Sequence, residues 1–241
     1  MNAQVKARIK AHALREFPKE CCGIVAANGF GEIKVFECEN LAHNKVGRFA
    51  IDPRKNIEAE KFGHVVCFYH SHASEFLDPN NDRFSKEDLD VSYESCIPAL
   101  LYVIPQDTWH YSQPDTYVPK DLLGRPFVWG VWDCYSLVKD YFKIHKNVKM
   151  GHYFPPEDAS TNSNFGYESL VNNENFHEVT VDEMARDDVI LFQIKSPYIN
   201  HSAVYVGGNE FLHQPINKIS STGMLDDRYL KYIAKVYRAN D

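Results

Sequence analysis

Apolar positions recur along this chain in short blocks with two periods, and the blocks define its elements. Val5, Ile9, Ala13 and Phe17 fall at four-residue spacing, one face of a helix expected from about Asn2 to Arg15, and Pro18 stops it. Gly23–Ala27 and Glu32–Cys38 are β-rich runs around Asn28-Gly29 and Gly31, which predicts a hairpin. Val65–Tyr69 reads as a strand, Ser85–Cys96 as a short helix and Ala99–Ile104 as another apolar strand. Glu75–Arg83, containing Asp78-Pro79-Asn80-Asn81, reads as a polar loop. In the second half a helix is expected from about Asp133 to His145. Leu137, Val138, Tyr141 and Phe142 form its apolar stripe, with Lys139, Asp140 and Lys143 off it. Met150–Glu178 is asparagine-rich and aperiodic, mostly loop. Strand-like runs follow at Val189–Ile194, His201–Val206, Glu210–His213 and Tyr232–Tyr237.

Between the halves, Gln113–Lys120 carries two prolines and no period, so the chain reads as two α+β domains, 1–112 and 121–241, joined by a linker at 113–120. A length of 241 residues agrees with one or two domains. The net charge of −7 is spread along the chain without a basic block, so nucleic-acid binding is not expected. The longest apolar run, Pro98–Pro105, falls far short of the ~18 residues of a membrane helix. The N-terminal segment is amphipathic and lacks the apolar core of a secretory signal. Six cysteines in a chain this long do not form a disulfide framework, and reduced thiols made in a cytoplasm are expected. Cys21, Cys22 and Cys67 lack paired metal spacing and are expected to be buried. His64, His110, His145, His152 and His177 are expected on the surface.

Two constellations carry chemistry. In the first, Tyr69-His70-Ser71-His72 ends the apolar strand. Residues i and i+2 of a strand project from one face, so His70 and His72 are placed to bind one metal. A catalytic zinc takes three protein ligands and keeps a position for water. Asp88, in the first turn of the next helix, is the nearest third ligand, and Glu20 a base for the bound water. Ser85-Lys86-Glu87-Asp88 is equally a capping box. Together, Glu20 near Cys22-Gly23, His70-Ser71-His72 and Ser85-Lys86-Glu87-Asp88 resemble the JAMM (MPN-type) metallopeptidases over residues 1–112. The resemblance implies an α/β domain with zinc on His70, His72 and Asp88, Glu20 as general base, and Ser85 helping to hold the tetrahedral oxyanion. Twelve residues separate His72 from Ser85, more than the family usually has, which leaves Asp82 as a rival ligand.

In the second constellation, Asp133-Cys134 opens the apolar-striped helix. A thiol in a first helical turn faces unpaired N–H groups and the positive end of the helix dipole, which favour thiolate. Asp133 is also a fitting N-cap. His201 begins one predicted strand and His213 ends the next, twelve residues on, across Gly207-Gly208-Asn209. A tight hairpin there brings the two imidazoles together. Asp133-Cys134 and the later histidines resemble the NlpC-type papain-like peptidases over residues 121–241. The resemblance implies Cys134 as nucleophile, His201 as base and His213 as the orienting residue. Where many members carry an upstream tyrosine, Leu122 stands here, with Tyr117 the nearest substitute.

The pairing of a JAMM half with an NlpC half, with LLGRPFVWGVWDCYSLVKDYF at the junction and NHSAVYVGGNEFLH beyond, resembles the tail tip assembly family of lambda-like tailed phages. That resemblance implies peptidoglycan stem peptide as substrate, other tail tip proteins as partners, and a chain made in the host cytoplasm that works from the tail tip. Its alternative is an assembly factor whose peptidase sites are relics.

Overall fold

The structure is a computed structural model and describes residues 2–73, 82–104, 106–114, 117, 121–151 and 175–240. It divides into two compact units, 1–118 and 119–241. Residues 75–81 of the expected loop at Glu75–Arg83, most of the seam at Gln113–Lys120 and most of Met150–Glu178 lie outside the described residues. Among the described residues no helix is long and apolar enough to cross a membrane.

The first unit is a five-stranded sheet between helices. Its elements are α1 (Asn2–Glu16), β1 (Cys22–Ala27), β2 (Ile33–Cys38), α2 (Pro53–Phe62), β3 (His64–His72), α3 (Lys86–Ser95), β4 (Ala99–Val103) and β5 (Thr108–Ser112). The strand order is β2-β1-β3-β4-β5, with β3 and β4 parallel and the other neighbours antiparallel. The predicted hairpin, strands and flanking helices are present. Helix α2 and strand β5 carry too weak a period to be read in advance. On α1, Ile9 and Ala13 are buried as their spacing predicts, whereas Phe17 lies beyond the helix end and is exposed. Ile24 and Ala26 of β1 pack with Phe36, Ala59 and Val65 under α2. The opposite face carries Gly23, whose partner across the sheet is Tyr69. A Cβ at position 23 would run into the Tyr69 ring, whose hydroxyl meets His12 Nδ1 at 2.9 Å. Glycine is thus the residue that lets β1 lie flat against β3 beside the histidines.

The second unit comprises α4 (Cys134–Lys146) and a six-stranded antiparallel sheet of β6 (Phe176–Val179), β7 (Val189–Phe192), β8 (His201–Gly207), β9 (Glu210–His213), β10 (Ser221–Met224) and β11 (Ile233–Ala239). Its order is β10-β9-β8-β7-β11-β6. Strand β7 reads Val-Ile-Leu-Phe without alternation because both of its faces are covered. Val189 and Leu191 meet Leu137, Val138, Tyr141 and Phe142 of α4, while Ile190 and Phe192 pack with Ala203, Phe211 and Leu225. Burying Leu137, Val138 and Phe142 contributes roughly 1.5–3 kcal/mol each.

Lys139 and Asp140, off the apolar stripe, are nevertheless buried. The cause is a partner far away in sequence: Arg125 donates to Asp140 Oδ2 at 2.6 Å, both side chains shielded from water. The Arg125 backbone N–H and C=O bind Ser220, and its guanidinium lies 5.8 Å from the Trp132 ring centroid. One residue thereby joins the segment before α4, the helix itself and the loop after β9. Removing one partner of a buried pair strands the other charge, so Arg125→Met is expected to destabilise the chain by about 3–5 kcal/mol in denaturant titrations. The double change Arg125→Met with Asp140→Leu should recover most of that loss.

Candidate active sites

Strand β3 continues through the His-Ser-His sequence, so His70 and His72 belong to the strand and share a face. Ser71 points the other way and extends the β1–β3 ladder: Cys21 N–H donates to Ser71 Oγ at 2.9 Å and Ser71 N–H donates to Cys21 C=O at 3.1 Å. That clamp holds Glu20 against the histidines. His70 Nε2 and His72 Nε2 are 3.2 Å apart, and Asp88 Oδ2 stands 3.4 Å from each. Glu20 Oε1 is 4.0 Å from His72 Nε2. All four side chains are buried.

The triangle of ligand atoms fits a metal. Bonds of ~2.0–2.1 Å in a tetrahedral zinc site place ligand atoms about 3.3–3.4 Å apart, which is the spacing found. The capping box and the cluster are one construction. Asp88 N–H donates to Ser85 Oγ at 3.1 Å, and Ser85 N–H donates to Asp88 Oδ2, the oxygen that faces both imidazoles, at 2.8 Å. Ser85 therefore caps α3 and fixes Asp88. Asp82, the rival ligand, is half-exposed and pairs with Arg83 at 3.0 Å. Burial opposes ionisation of Asp88, but hydrogen bonds from His70 and His72 hold its carboxyl below the usual range. Glu20 is pushed up to about 8, by burial first and then by the Asp88 charge, which brings it within about a unit of neutrality, the range suited to a group that both takes up and releases a proton.

Two features of this site were not legible in advance. Phe49 stacks on His70 with centroids 4.4 Å apart, and Asn40 organises the loop that carries it. The Asn40 amide donates to Glu20 C=O and Arg48 C=O, and its oxygen accepts from Ala42 and Ala50 N–H. Every partner comes from a stretch with no period. His110 also departs from expectation. It is half-buried on β5, opposite Leu101, which in turn pairs with His70. His64 is half-buried too, while His145 and His177 are exposed as expected and His152 lies outside the described residues.

In the second unit Asp133 is the N-cap of α4. Its Oδ1 accepts from Ser136 N–H, its Oδ2 from Gly130 N–H, and its own N–H donates to Ser136 Oγ. The cap fixes Cys134 as the first helical residue, in a turn whose N–H groups have no intrahelical acceptor. Gly208 and Asn209, at φ of 63° and 61°, form the two-residue turn between β8 and β9. The register pairs Ala203 with His213, so His201, two residues from Ala203, is a diagonal neighbour of His213 on the same face. His201 Nε2 meets His213 Nδ1 at 3.0 Å, which leaves His201 Nδ1 free of that contact. Burial, then the neighbouring His213, pushes His201 down to about 3. Burial, then the Lys218 charge, pushes His213 down to about 4. Both shifts favour the neutral imidazoles, and in the contact one ring nitrogen donates while the other accepts.

These shifts predict an acid sensitivity. Between about pH 4 and the ordinary histidine value of 6.5, the unfolded chain binds protons that the folded pair refuses. Stability contributed by the pair is complete above 6.5 and is lost as pH falls through that window. Thermal melts of the full chain at pH 7.5 and 5 should show a smaller pH-dependent drop for His213→Gln than for wild type.

The two sites define the class. Residues 2–115 match the prokaryotic homologs of the JAB domain, residues 124–238 match the NlpC/P60 family, and the chain is a fusion of the two domain types. Taken whole, it is a homologue of the phage tail tip assembly proteins K. It is 29% identical to tail tip assembly protein K of Escherichia phage N15 over 236 residues, 97% of this chain and 93% of that protein. It is 26% identical to tail tip assembly protein K of Escherichia phage lambda over 188 residues, 78% of this chain and 88% of that protein. Among solved structures, the NlpC/p60 domain of peptidoglycan hydrolase SagA covers 50% of this chain and 90% of its own, at 17% identity and a TM-score of 0.32.

Proposed function

We propose that this chain is a tail tip assembly protein that also cuts the peptidoglycan stem peptide, using Cys134, His201 and His213 in its C-terminal domain. The observation that carries the reading is the His201–His213 pair, neutral and oriented, in a domain whose helix α4 is headed by Cys134. In the reaction, the Cys134 sulfur attacks the peptide carbonyl and His201 takes the thiol proton. Backbone N–H groups in the first turn of α4 hold the oxyanion. His201 gives the proton to the leaving amine, and water then hydrolyses the thioester with the same imidazole as base. His213 keeps His201 in the tautomer and orientation these steps need.

The N-terminal domain is a JAMM-type zinc site by the same reading. His70, His72 and Asp88 would hold the ion, and Glu20, 4.0 Å from His72 Nε2, would be the proton acceptor beside it. Zinc, when bound, supplies Lewis acidity and a water of lowered pKa. The names of the phage relatives support neighbours in the tail tip as partners, and the same reading has the chain made in the host cytoplasm and working from the tail tip. Those names also support the second reading, assembly without turnover. Digestion of purified peptidoglycan by the full chain separates them: new stem-peptide termini favour the peptidase, and an intact wall exposed to correctly folded protein favours assembly alone.

A further inference from the structure

The loop between β9 and β10 is built onto the candidate cysteine site. His213 and Ser221 face each other across the two strands, so residues 214–220 form a hairpin loop that closes directly on His213. That loop is fixed at three points. Lys218 N–H donates to Pro215 C=O at 3.2 Å around Asn217, whose φ is 59°. The buried Gln214 amide donates to Lys218 C=O at 2.6 Å from beneath. Ser220 is stapled to the segment before α4 by Gly124 N–H at 3.0 Å, by Arg125 N–H at 2.8 Å, and by its own N–H to Arg125 C=O at 2.8 Å. Because the Arg125 guanidinium also lies over Trp132, two residues before Cys134, the loop is tied to the start of α4 as well as to His213.

This rigid loop presents an exposed lysine. No carboxylate among the described residues pairs with the Lys218 ammonium, whereas Arg228 has Asp226, Lys235 has Glu178, Arg238 has Asp188 and Lys146 has Asp187. Its charge reaches His213 and disfavours protonation there. An uncompensated cation carried on an anchored backbone next to His213, on a chain of net charge −7, attracts an anionic group on the substrate. Resting on the peptidase reading above, we propose that Lys218 is a specificity-determining residue of the cysteine site, pairing with a carboxylate of the stem peptide beside the scissile bond.

The test uses full-length protein and two synthetic probes: the tripeptide L-alanyl-γ-D-glutamyl-diaminopimelate, and its fully carboxamidated form. Turnover is measured with wild type, Lys218→Met and Lys218→Arg, and binding by calorimetry with the same changes in a Cys134→Ala background. Lys218→Met is expected to raise KM and Kd for the carboxylate probe about fivefold with kcat unchanged, as for an ion pair at a surface. Lys218→Arg should restore them, added salt should shrink the difference, and the carboxamide probe should not distinguish the variants. Equal losses on both probes, a fall in kcat alone, or no change would overturn the proposal. If wild type turns over neither probe, the peptidase reading fails on its own, and the calorimetric comparison still decides for or against Lys218. Absence of binding to either probe overturns it.

Discussion

Cys134→Ala should lower the rate of stem-peptide cleavage by about 10⁴-fold or more, leaving only what binding and backbone dipoles supply. The change is small in volume at a buried helix start whose cap is made by Asp133 and Ser136, so the fold should be kept. His201→Ala should cost nearly as much, because the two groups act as a unit. His213 gives a graded result. His213→Ala removes the partner of His201 Nε2 and should cost about 10²–10⁴-fold, by analogy with other orienting residues. His213→Gln keeps a hydrogen-bonding group there and should retain a large part of the activity. A digest series over these four variants, scored by released stem-peptide fragments, checks the ordering; equal activity for wild type and Cys134→Ala would remove the cysteine from the mechanism.

Changing both His70 and His72 to alanine should reduce bound zinc from about one ion per chain to near none, because only Asp88 of the ligand triangle is left. Asp88→Asn is the more informative single change. Its amide oxygen can still accept from Ser85 N–H and so keep the α3 cap, while the ligand charge is gone. Ser85→Ala does the converse: it removes the acceptor of Asp88 N–H and should cost about 1 kcal/mol of stability as a lost N-cap, with zinc content close to wild type. Elemental analysis of each purified variant beside its denaturation midpoint separates the ligand role of Asp88 from its capping role. Zinc retained in the double histidine variant would contradict the site.

What could be read before the structure was whatever depends on neighbours in sequence. The i, i+2 rule put His70 and His72 on one face, the capping pattern located Asp88 and Asp133, and the glycine turn predicted that His201 and His213 approach. What escaped depends on contacts between distant segments. Asn40 and Phe49 sit in a stretch without period, yet they cover Glu20 and His70. Ser71, between the two histidines, clamps Cys21, a contact that no local pattern shows. Lys139 and Asp140 lie off the apolar stripe, and nothing near them in sequence shows that they are buried; the pairing of Asp140 with Arg125, fifteen residues earlier, brings that charge inside. The extra length between His72 and Ser85 left two aspartates open as ligands, and only the packing of α3 shows which of them faces the histidines.

The central claim is that one chain carries two independent sites, and it is tested most directly by measuring zinc stoichiometry and stem-peptide cleavage on the same preparations of wild type, Cys134→Ala and the His70→Ala/His72→Ala double variant. The account predicts a double dissociation: Cys134→Ala keeps zinc and loses cleavage, and the histidine variant loses zinc and keeps cleavage. Cleavage that follows the zinc, or that is absent from folded wild type, would contradict it.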